Sequence, residues 1–229
     1  MRLRRGTESR ERMVRIKICG ITNLTDARAA VTAGADLLGF NFYRPSPRFI
    51  EPQRAREIIT ALRTEMNAGA RGPGIVGVFV NEPSAESLAH LAEDVGVDSA
   101  QLHGDESPEF CRRLKRLLPG LMVIKALRAG NDFKPEEALE YNVDAIMVDA
   151  FHAELRGGTG EVFDWAIGSR TRELVPRLFL AGGLSPENVA QAITQVRPYG
   201  VDACSSIESS PGVKDAERMK AFVAAVRSS

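Results

Sequence analysis

Residues 14–42 read VRIKICGITNLTDARAAVTAGADLLGFNF and contain one complete strand–helix–strand unit. Apolar and polar residues alternate over 14–18, which predicts a strand, and a second short apolar strand is predicted at 37–42. Between them, residues 23–35 have the apolar spacing of a helix. The same order recurs to the end of the chain, so we expect a parallel sheet with right-handed crossovers.

Eight strands are predicted in all, each followed by a helical segment. The strands are predicted at 14–18, 37–42, 75–80, 99–103, 122–127, 145–149, 177–181 and 201–204. Further helices are predicted at 52–63, 84–96, 107–119, 185–196 and 214–228. Ser84, Ser107 and Ser185 suit helix N-caps, with Pro108 and Pro186 suited to a first helical turn. An open doubly wound sheet and a closed barrel are both compatible with this order.

The length of the chain favours the barrel. Eight units within 229 residues fit a (β/α)8 fold, whose usual size is about 250 residues. We therefore predict an α/β protein with one TIM-barrel domain at 13–229, since no linker rich in Pro, Gly or Ser divides the chain. Residues 1–12 are rich in arginine and lack the apolar segment of a signal peptide, so we expect a disordered leader there.

Composition restricts the partners and the compartment. The chain has 30 Lys and Arg against 30 Asp and Glu, so neither nucleic acid nor an anionic membrane surface is an expected partner. No apolar run reaches the roughly 20 residues of a membrane span. Cys19, Cys111 and Cys204 are isolated in the sequence, which is typical of a reducing compartment, and we expect the cytoplasm.

Polar residues gather at the carboxyl ends of the predicted strands, where barrel active sites lie. Each has a structural alternative, because a strand cysteine is usually a small buried hydrophobe and a rim aspartate or histidine can serve packing alone. Their occurrence on one face of one barrel favours a functional interpretation. The candidates are Cys19, Arg44, Arg48, Asn81, Gln101, His103, Lys125, Asp149, Ser205 and Ser206.

Two glycines indicate a phosphate site. Gly182 and Gly183, in AGGLSPENV, directly precede a predicted helix, where backbone N–H groups and the helix dipole attract anions. Barrels often bind phosphate with the loops that follow strands seven and eight. We therefore predict a phosphorylated small molecule as substrate, with two ordinary turns as the alternative. The glycine-rich loop 155–165 is either a lid over that phosphate or a flexible surface loop.

Eight motifs together resemble one family. KICGIT, GFNFYRPSPRFI, GVFVN, QLHGDE, VIKA, GGTGEVFDW, LAGGLSPENV and PGVKD occur here in the order seen in the phosphoribosylanthranilate isomerase family, and they cover residues 14 to about 226. That family consists of (β/α)8-barrel enzymes of tryptophan biosynthesis. The resemblance implies conversion of N-(5-phosphoribosyl)anthranilate to 1-(o-carboxyphenylamino)-1-deoxyribulose 5-phosphate, an Amadori rearrangement without a metal or an organic cofactor.

The resemblance also implies roles for residues. Cys19 matches the general base, Asp149 the general acid and Arg48 the group that holds the anthranilate carboxylate. Strands one and six are not neighbours in a barrel, so the base and the acid can face each other across its mouth. The other residues assigned to substrate binding are His103, Gly182, Gly183, Ser205 and Ser206.

Lys17 and the run CSSIE need separate interpretation. Residues two apart on a strand point the same way, so Lys17 shares the barrel interior with Cys19, and we hypothesise that it lowers the pKa of the thiol. The alternative is that an interior acid neutralises Lys17 for structural reasons. The family usually reads SSGVE where this chain has CSSIE, so Cys204 replaces a serine and Ser206 replaces a glycine. Ser206 keeps the N–H group but loses glycine's access to positive φ.

Two other functions stay open at this point. A ribulose-phosphate epimerase would need metal-binding histidines, but the three are His90, predicted in a helix, His103, and His152 in the loop, so no shared metal site is expected. A non-catalytic ligand-binding barrel belongs to another class, and the presence of Cys19 and Asp149 argues against it. The sequence leaves monomer and homodimer equally open.

Overall fold

Eight parallel strands close into a barrel in the computed structural model, which describes residues 13–66, 72–130, 132–149 and 165–229. The strands are β1 (Arg15–Cys19), β2 (Leu37–Asn41), β3 (Gly74–Phe79), β4 (Ser99–Leu102), β5 (Met122–Arg128), β6 (Ala145–Asp149), β7 (Leu178–Ala181) and β8 (Gly200–Ala203). Each pairs with the next strand along the chain, and β8 pairs with β1. Closure confirms the predicted (β/α)8 barrel over the doubly wound sheet, and every predicted strand is confirmed to within one residue at each end.

Helices follow the strands, as the sequence predicts. They are α1 (Leu24–Ala33), α2 (Pro52–Met66), α3 (Ala85–Val95), α4 (Pro108–Leu117), α5 (Trp165–Leu174), α6 (Val189–Val196) and α7 (Ala216–Arg227). A short 3₁₀ helix, Pro135–Glu140, follows β5 in place of an α-helix.

A small hairpin after β8 was not predicted. It consists of β9 (Glu208–Ser210) and β10 (Val213–Lys214), which pair antiparallel across a turn where Gly212 has φ +81°. Strands of three and two residues are too short to produce a periodic pattern, so the sequence does not reveal them. The hairpin matters because its first and last residues contact the barrel mouth.

Most of the predicted helix starts are confirmed. Ser84 accepts the backbone N–H of Ser87 and caps α3, and Ser107 does the same for Phe110 and α4. Pro108 is the first residue of α4, where a missing N–H removes nothing from the helix.

The predicted start of α6 at Ser185 and Pro186 is wrong. The helix begins at Val189, because Asn188 folds the preceding residues into a turn. The Asn188 side chain accepts the Ser185 N–H at 2.8 Å and donates to the Gly183 carbonyl at 3.0 Å. These bonds anchor the glycine loop to the start of the helix.

Apolar residues pack on both sides of the barrel wall, in one cluster outside it against the helices and in another inside the barrel. On β1, Ile16 and Ile18 belong to the large cluster between the sheet and the helices, so Lys17 and Cys19 point into the barrel. The same period-two alternation sets the inward positions on the other strands. The inner cluster consists of Val76, Ile124, Ala126, Ala145, Met147, Phe179 and Ala181.

Two predictions concern residues that the structure does not describe. The proposed leader, residues 1–12, lies outside the described residues, and so does the loop 155–165 except for Trp165. Within the described part of the chain, every helix is too short or too polar to span a bilayer.

Candidate active site

Cys19 and Asp149 end β1 and β6 and lie at the carboxyl-terminal mouth of the barrel. Cys19 is buried, with 8% of its surface exposed, and Asp149 is half-buried. Both sit at inward positions, because Ile18 and Val148 before them face the helix layer. The charges of both groups raise the pKa of Asp202, which lies in the barrel interior.

A buried ion pair lies beneath Cys19. The Lys17 ammonium donates to Asp202 Oδ1 at 3.0 Å, and both residues occupy paired inward positions on β1 and β8. Burial lowers the pKa of Lys17, but the charges of Asp202 and Cys19 more than offset this and leave it above its ordinary value. Burial raises the pKa of Asp202 to about 7, despite the opposing effect of Lys17.

Asp202 is therefore the interior acid of the alternative interpretation of Lys17, and Lys17 also acts on Cys19. The ion pair confirms the structural interpretation, and the influence of Lys17 on the thiol stays a prediction, supported by the direction of the Cys19 pKa shift.

Cys204 follows β8 and hydrogen-bonds the sulfur of Cys19. This hydrogen bond is the largest influence that lowers the pKa of Cys19, and it outweighs burial with the help of Lys17 and Lys214. The same bond raises the pKa of Cys204, and burial raises it further. The two shifts favour the charged form of Cys19 and the neutral form of Cys204.

Gly39 makes room for the thiol and the ammonium. A Cβ atom at this position would lie 2.8 Å from Cys19 Sγ and 3.2 Å from Lys17 Nζ. Gly39 pairs with Cys19 across the β1–β2 ladder and occupies an inward position, so any side chain there would displace the sulfur.

A hydrogen-bonded chain holds Asp149. His103 Nε2 lies 3.0 Å from Asp149 Oδ2, and His103 Nδ1 lies 2.8 Å from Gln101 Nε2. When the Gln101 amide donates this hydrogen bond, Nδ1 of His103 is the acceptor. The ring proton is then on Nε2 and points to the carboxyl group of Asp149. Gln101 Oε1 is buried without a hydrogen-bond partner within the described residues.

Arg48 binds a carboxylate of the chain itself. Its Nε and Nη2 atoms donate to the two oxygens of Glu208 at 2.9 and 2.7 Å, a bidentate pair. Lys214 Nζ donates to the same carboxylate at 2.8 Å and to the Cys204 carbonyl at 3.1 Å. Burial raises the pKa of Glu208, but Arg48 and Lys214 together hold it below its ordinary value.

The loops after β7 and β8 are joined at the mouth. Gly182 and Gly183 have φ of +86° and +68°, the left-handed region that favours glycine. Ser206 donates its hydroxyl to the Leu184 carbonyl, which joins the two loops. Ser206 itself adopts negative φ, since Asn81 and Arg197 are the positive-φ non-glycine residues of the described chain. The replacement of glycine by Ser206 therefore leaves no backbone strain.

Lys125 is not part of the mouth, contrary to the sequence prediction. Its neighbours on β5, Ile124 and Ala126, belong to the inner cluster, so Lys125 points into the helix layer. There its ammonium binds Glu106 at 2.9 Å and the Gly104 carbonyl at 2.6 Å.

Asn81 and Arg44 also serve local structure. Asn81 bonds the β4 loop through Asp105, whose N–H it accepts at 2.6 Å. Arg44 is exposed and pairs with Glu51 at 3.3 Å.

Sequence reasoning missed Asp202, Glu208 and Lys214. Asp202 carried a usable signal, because it is a lone acid between Val201 and Ala203 on a predicted strand. Glu208 and Lys214 had no such signal, since the hairpin that positions them has no periodic pattern.

A closed barrel with polar side chains gathered at its carboxyl-terminal mouth has the architecture of the (β/α)8-barrel enzymes. Residues 16–225 match the family model described as N-(5'-phosphoribosyl)anthranilate (PRA) isomerase. The chain belongs to this family and is an enzyme of that isomerase class.

Individual relatives agree with the family assignment. The chain is 46% identical over 219 residues to N-(5'-phosphoribosyl)anthranilate isomerase of Rubrobacter xylanophilus, covering 94% of this chain and 100% of the relative. It is 44% identical to the isomerase of Pelobacter propionicus, over 92% of this chain and 94% of the relative. The structure of phosphoribosyl anthranilate isomerase from Thermotoga maritima superposes with a TM-score of 0.82 at 41% identity, over 95% of this chain and 100% of that one.

Proposed function

We propose that this enzyme converts N-(5-phosphoribosyl)anthranilate to 1-(o-carboxyphenylamino)-1-deoxyribulose 5-phosphate in tryptophan biosynthesis. The observation that carries the proposal is that Cys19 and Asp149, from strands that are not neighbours, share one barrel mouth and both act on Asp202. A related isomerase, 39% identical, has been solved in complex with the reduced product analogue. No metal or organic cofactor enters this reaction.

The rearrangement needs one proton donor and one proton acceptor. A proton delivered to the furanose oxygen opens the ring and gives a Schiff base, and removal of the C2′ proton gives an enolamine that tautomerises to the ketone. In our proposal Asp149 delivers the first proton and Cys19 removes the second. Two groups on opposite sides of the sugar suit these two steps.

The surroundings of Cys19 support its role as base. A thiolate accepts a proton, a thiol does not, and the pKa of Cys19 is lowered by Cys204 first and by Lys17 and Lys214 as well. Gly39 is the residue that leaves room for the sulfur at the barrel mouth, because a Cβ at this position would lie 2.8 Å from Cys19 Sγ.

The contact with His103 supports the role of Asp149 as acid. His103 Nε2 lies 3.0 Å from Asp149 Oδ2 and so orients the carboxyl group at the barrel mouth. Gln101 fixes the ring from the other side. We therefore assign His103 to positioning Asp149 as well as to lining the substrate site.

The charged ends of the substrate are assigned to the loops. Arg48 uses Nε and Nη2 on Glu208, so Nη1 would meet the anthranilate carboxylate. The phosphate is assigned to the N–H groups of Gly182 and Gly183, with Ser205 and Ser206 on the adjoining loop. A Cβ added at Gly183 would meet no atom of the described residues within 4 Å, so these residues leave room for a ligand beside the loop.

We further infer a cytoplasmic enzyme with one domain at 13–229, active as a monomer or a homodimer on a phosphorylated small molecule. Another Thermotoga maritima structure is described as monomers generated from a dimeric isomerase, at 39% identity. Sedimentation of the purified protein distinguishes the two oligomeric states.

Turnover of freshly prepared phosphoribosylanthranilate, followed by loss of its fluorescence, tests the function. Cys19→Ala and Asp149→Asn should each lower kcat by about 10²- to 10⁴-fold, the contribution of a general base or acid. Cys111→Ala is the matched control, because Cys111 lies on α4 in the helix layer. Wild-type turnover in either active-site variant would refute the role assigned to that residue, and absence of turnover in the wild-type protein would refute the function.

A further inference from the structure

Two cysteines meet at the barrel mouth, and the isomerisation uses only one of them. Ile18 pairs with Ala203 at the end of the β1–β8 ladder, and Cys19 and Cys204 directly follow this last pair. The Cys19 side chain points inward because Ile18 belongs to the outer cluster, and Cys204 directly follows Ala203 at the end of β8. Cys204 Sγ lies beside the residue that follows Cys19, since a Cβ at Gly20 would be 3.2 Å from it, and each of the two cysteines is the largest influence on the pKa of the other.

The strand spacing beside these positions, where Ile18 pairs with Ala203, is within the range that a disulfide spans. Neighbouring strands lie about 4.7–4.9 Å apart, and disulfides join Cα atoms separated by about 4.4–6.8 Å. Cys204 has left the strand conformation, with φ −135° and ψ −85°, so its side chain is not fixed by the sheet. Gly20 provides further room, because a Cβ there would lie 3.2 Å from Cys204 Sγ.

The surroundings of the two sulfurs suit an attacking and a resolving cysteine. The lowered pKa of Cys19 favours its thiolate, the form that reacts with peroxides. Cys204 is half-buried and keeps its proton, with Lys214 Nζ 3.9 Å from its sulfur. That ammonium stabilises the negative charge that develops when the proton leaves.

We propose that Cys19 and Cys204 form a reversible intramolecular disulfide on exposure to a peroxide, and that this bond switches the enzyme off. The disulfide itself follows from the two sulfurs alone. The loss of activity rests on the proposed function, in which Cys19 is the base.

The chemistry balances in two steps. The Cys19 thiolate attacks one oxygen of hydrogen peroxide, the O–O bond breaks, and sulfenic acid and hydroxide form. The Cys204 sulfur then attacks the Cys19 sulfur, gives up its proton and displaces water, so that an S–S bond replaces the S–O bond. Peroxide is the oxidant, and a dithiol restores both thiols.

Cys204 would thus protect Cys19 from irreversible oxidation. A sulfenic acid without a thiol neighbour is oxidised further to the sulfinic acid, which dithiols do not reduce. In this chain Cys204 is that neighbouring thiol.

Hydrogen peroxide treatment followed by intact-mass and peptide mass spectrometry tests the proposal. The wild-type protein should lose the mass of two hydrogen atoms, yield a peptide linked through Cys19 and Cys204, and lose at least about tenfold in turnover, since a sulfur in a disulfide is not a base. Dithiothreitol should restore both the mass and the turnover.

Two variants complete the test, each compared with its own untreated sample. Cys204→Ser should gain one or two oxygen atoms at Cys19, with turnover that dithiothreitol restores only in part. Cys111→Ala should behave as the wild type. Oxygen addition at Cys19 of the wild type without the linked peptide, or full recovery of the oxidised Cys204→Ser variant, would overturn the proposal. If the untreated enzyme lacked isomerase turnover, the mass measurement would still decide whether the disulfide forms.

Discussion

Lys17 and Asp202 form an ion pair inside the barrel, with Lys17 Nζ 3.0 Å from Asp202 Oδ1 and the lysine fully buried. The pair lies below Cys19. The charge of Cys19 raises the pKa of Lys17 and that of Asp202, so the thiol interacts electrostatically with both members of the pair. Because an unpaired charge in such a place is costly, the two residues stabilise each other's ionised forms. The catalytic proposal and the stability of the barrel therefore depend on the same contact.

Lys17→Met separates these two effects. The variant removes a positive charge from beneath Cys19, so the pH midpoint for alkylation of Cys19 by iodoacetamide should rise. It also leaves Asp202 buried without its partner, which should lower the free energy of unfolding by about 3–5 kcal/mol. Chemical denaturation measures the second effect.

The double variant Lys17→Met, Asp202→Asn is the control. It removes both charges, so it should recover stability but keep the raised alkylation midpoint. An alkylation midpoint equal to that of the wild type in both variants would discard the influence of Lys17 on the thiol.

Asp202 also predicts a pH dependence of stability. Burial raises the pKa of this carboxyl to about 7 in the folded protein, against about 3.9 in an unfolded chain. Between these values the folded state binds more protons than the unfolded state, so the contribution of Asp202 to stability falls as pH rises from about 4 to 7 and is constant above that range.

The Asp202→Asn variant should lose this pH-dependent contribution to stability. Thermal unfolding at intervals between these pH values measures the loss. The difference in Tm between wild type and variant should therefore change with pH across this interval and be constant above it. A constant difference throughout would contradict the assignment.

Gly39 tests how closely the sulfur must be held. Gly39→Ala would place a methyl group 2.8 Å from Cys19 Sγ and 3.2 Å from Lys17 Nζ, so the sulfur must move. A displacement of about 1 Å at a reacting group can lower turnover by about 10²-fold. Gly120→Ala is the matched control, because a Cβ there would meet no atom within 4 Å. Equal kcat in the two variants would show that the close approach at Gly39 has no catalytic consequence.

The fold and the two proposed catalytic positions could be predicted because they depend on local periodicity. Alternation on strands one and six points Cys19 and Asp149 inward, and the barrel fold then determines at which end they lie. The same reasoning would have excluded Lys125, whose apolar neighbours Ile124 and Ala126 mark the opposite face. That prediction failed because Lys125 was selected by residue type alone, without regard to the strand period.

Contacts between distant segments could not be predicted. Lys17 and Asp202 are 185 residues apart in the chain, and their meeting depends on the closure of β8 onto β1. The pairing of Arg48 with Glu208 spans 160 residues and depends on a hairpin too short to recognise. The predicted start of α6 was wrong for a related reason, because the Asn188 side chain competes with the helix for backbone hydrogen bonds.

Arg48 gives the last prediction, on substrate binding. Its guanidinium is held by a bidentate pair with Glu208, a residue with a side chain only 4% exposed. Lysine keeps the charge at this position but offers a single ammonium, which cannot bind Glu208 and a substrate carboxylate in the same planar arrangement. Arg48→Lys should therefore raise KM by about tenfold or more, because the variant loses one charge-assisted hydrogen bond to the substrate.

Arg44→Ala is the matched control in the same loop, because its side chain is 76% exposed and pairs with an exposed Glu51. Such a surface pair contributes only about 0–1 kcal/mol to stability, so both KM and the unfolding midpoint should stay near wild type. Thermal unfolding of Arg48→Lys, measured beside its kinetics, separates the two roles of that residue. If Arg48 served only to bind Glu208, the variant would unfold at a lower temperature with an unchanged KM, and the assignment of Arg48 to the anthranilate carboxylate would be wrong.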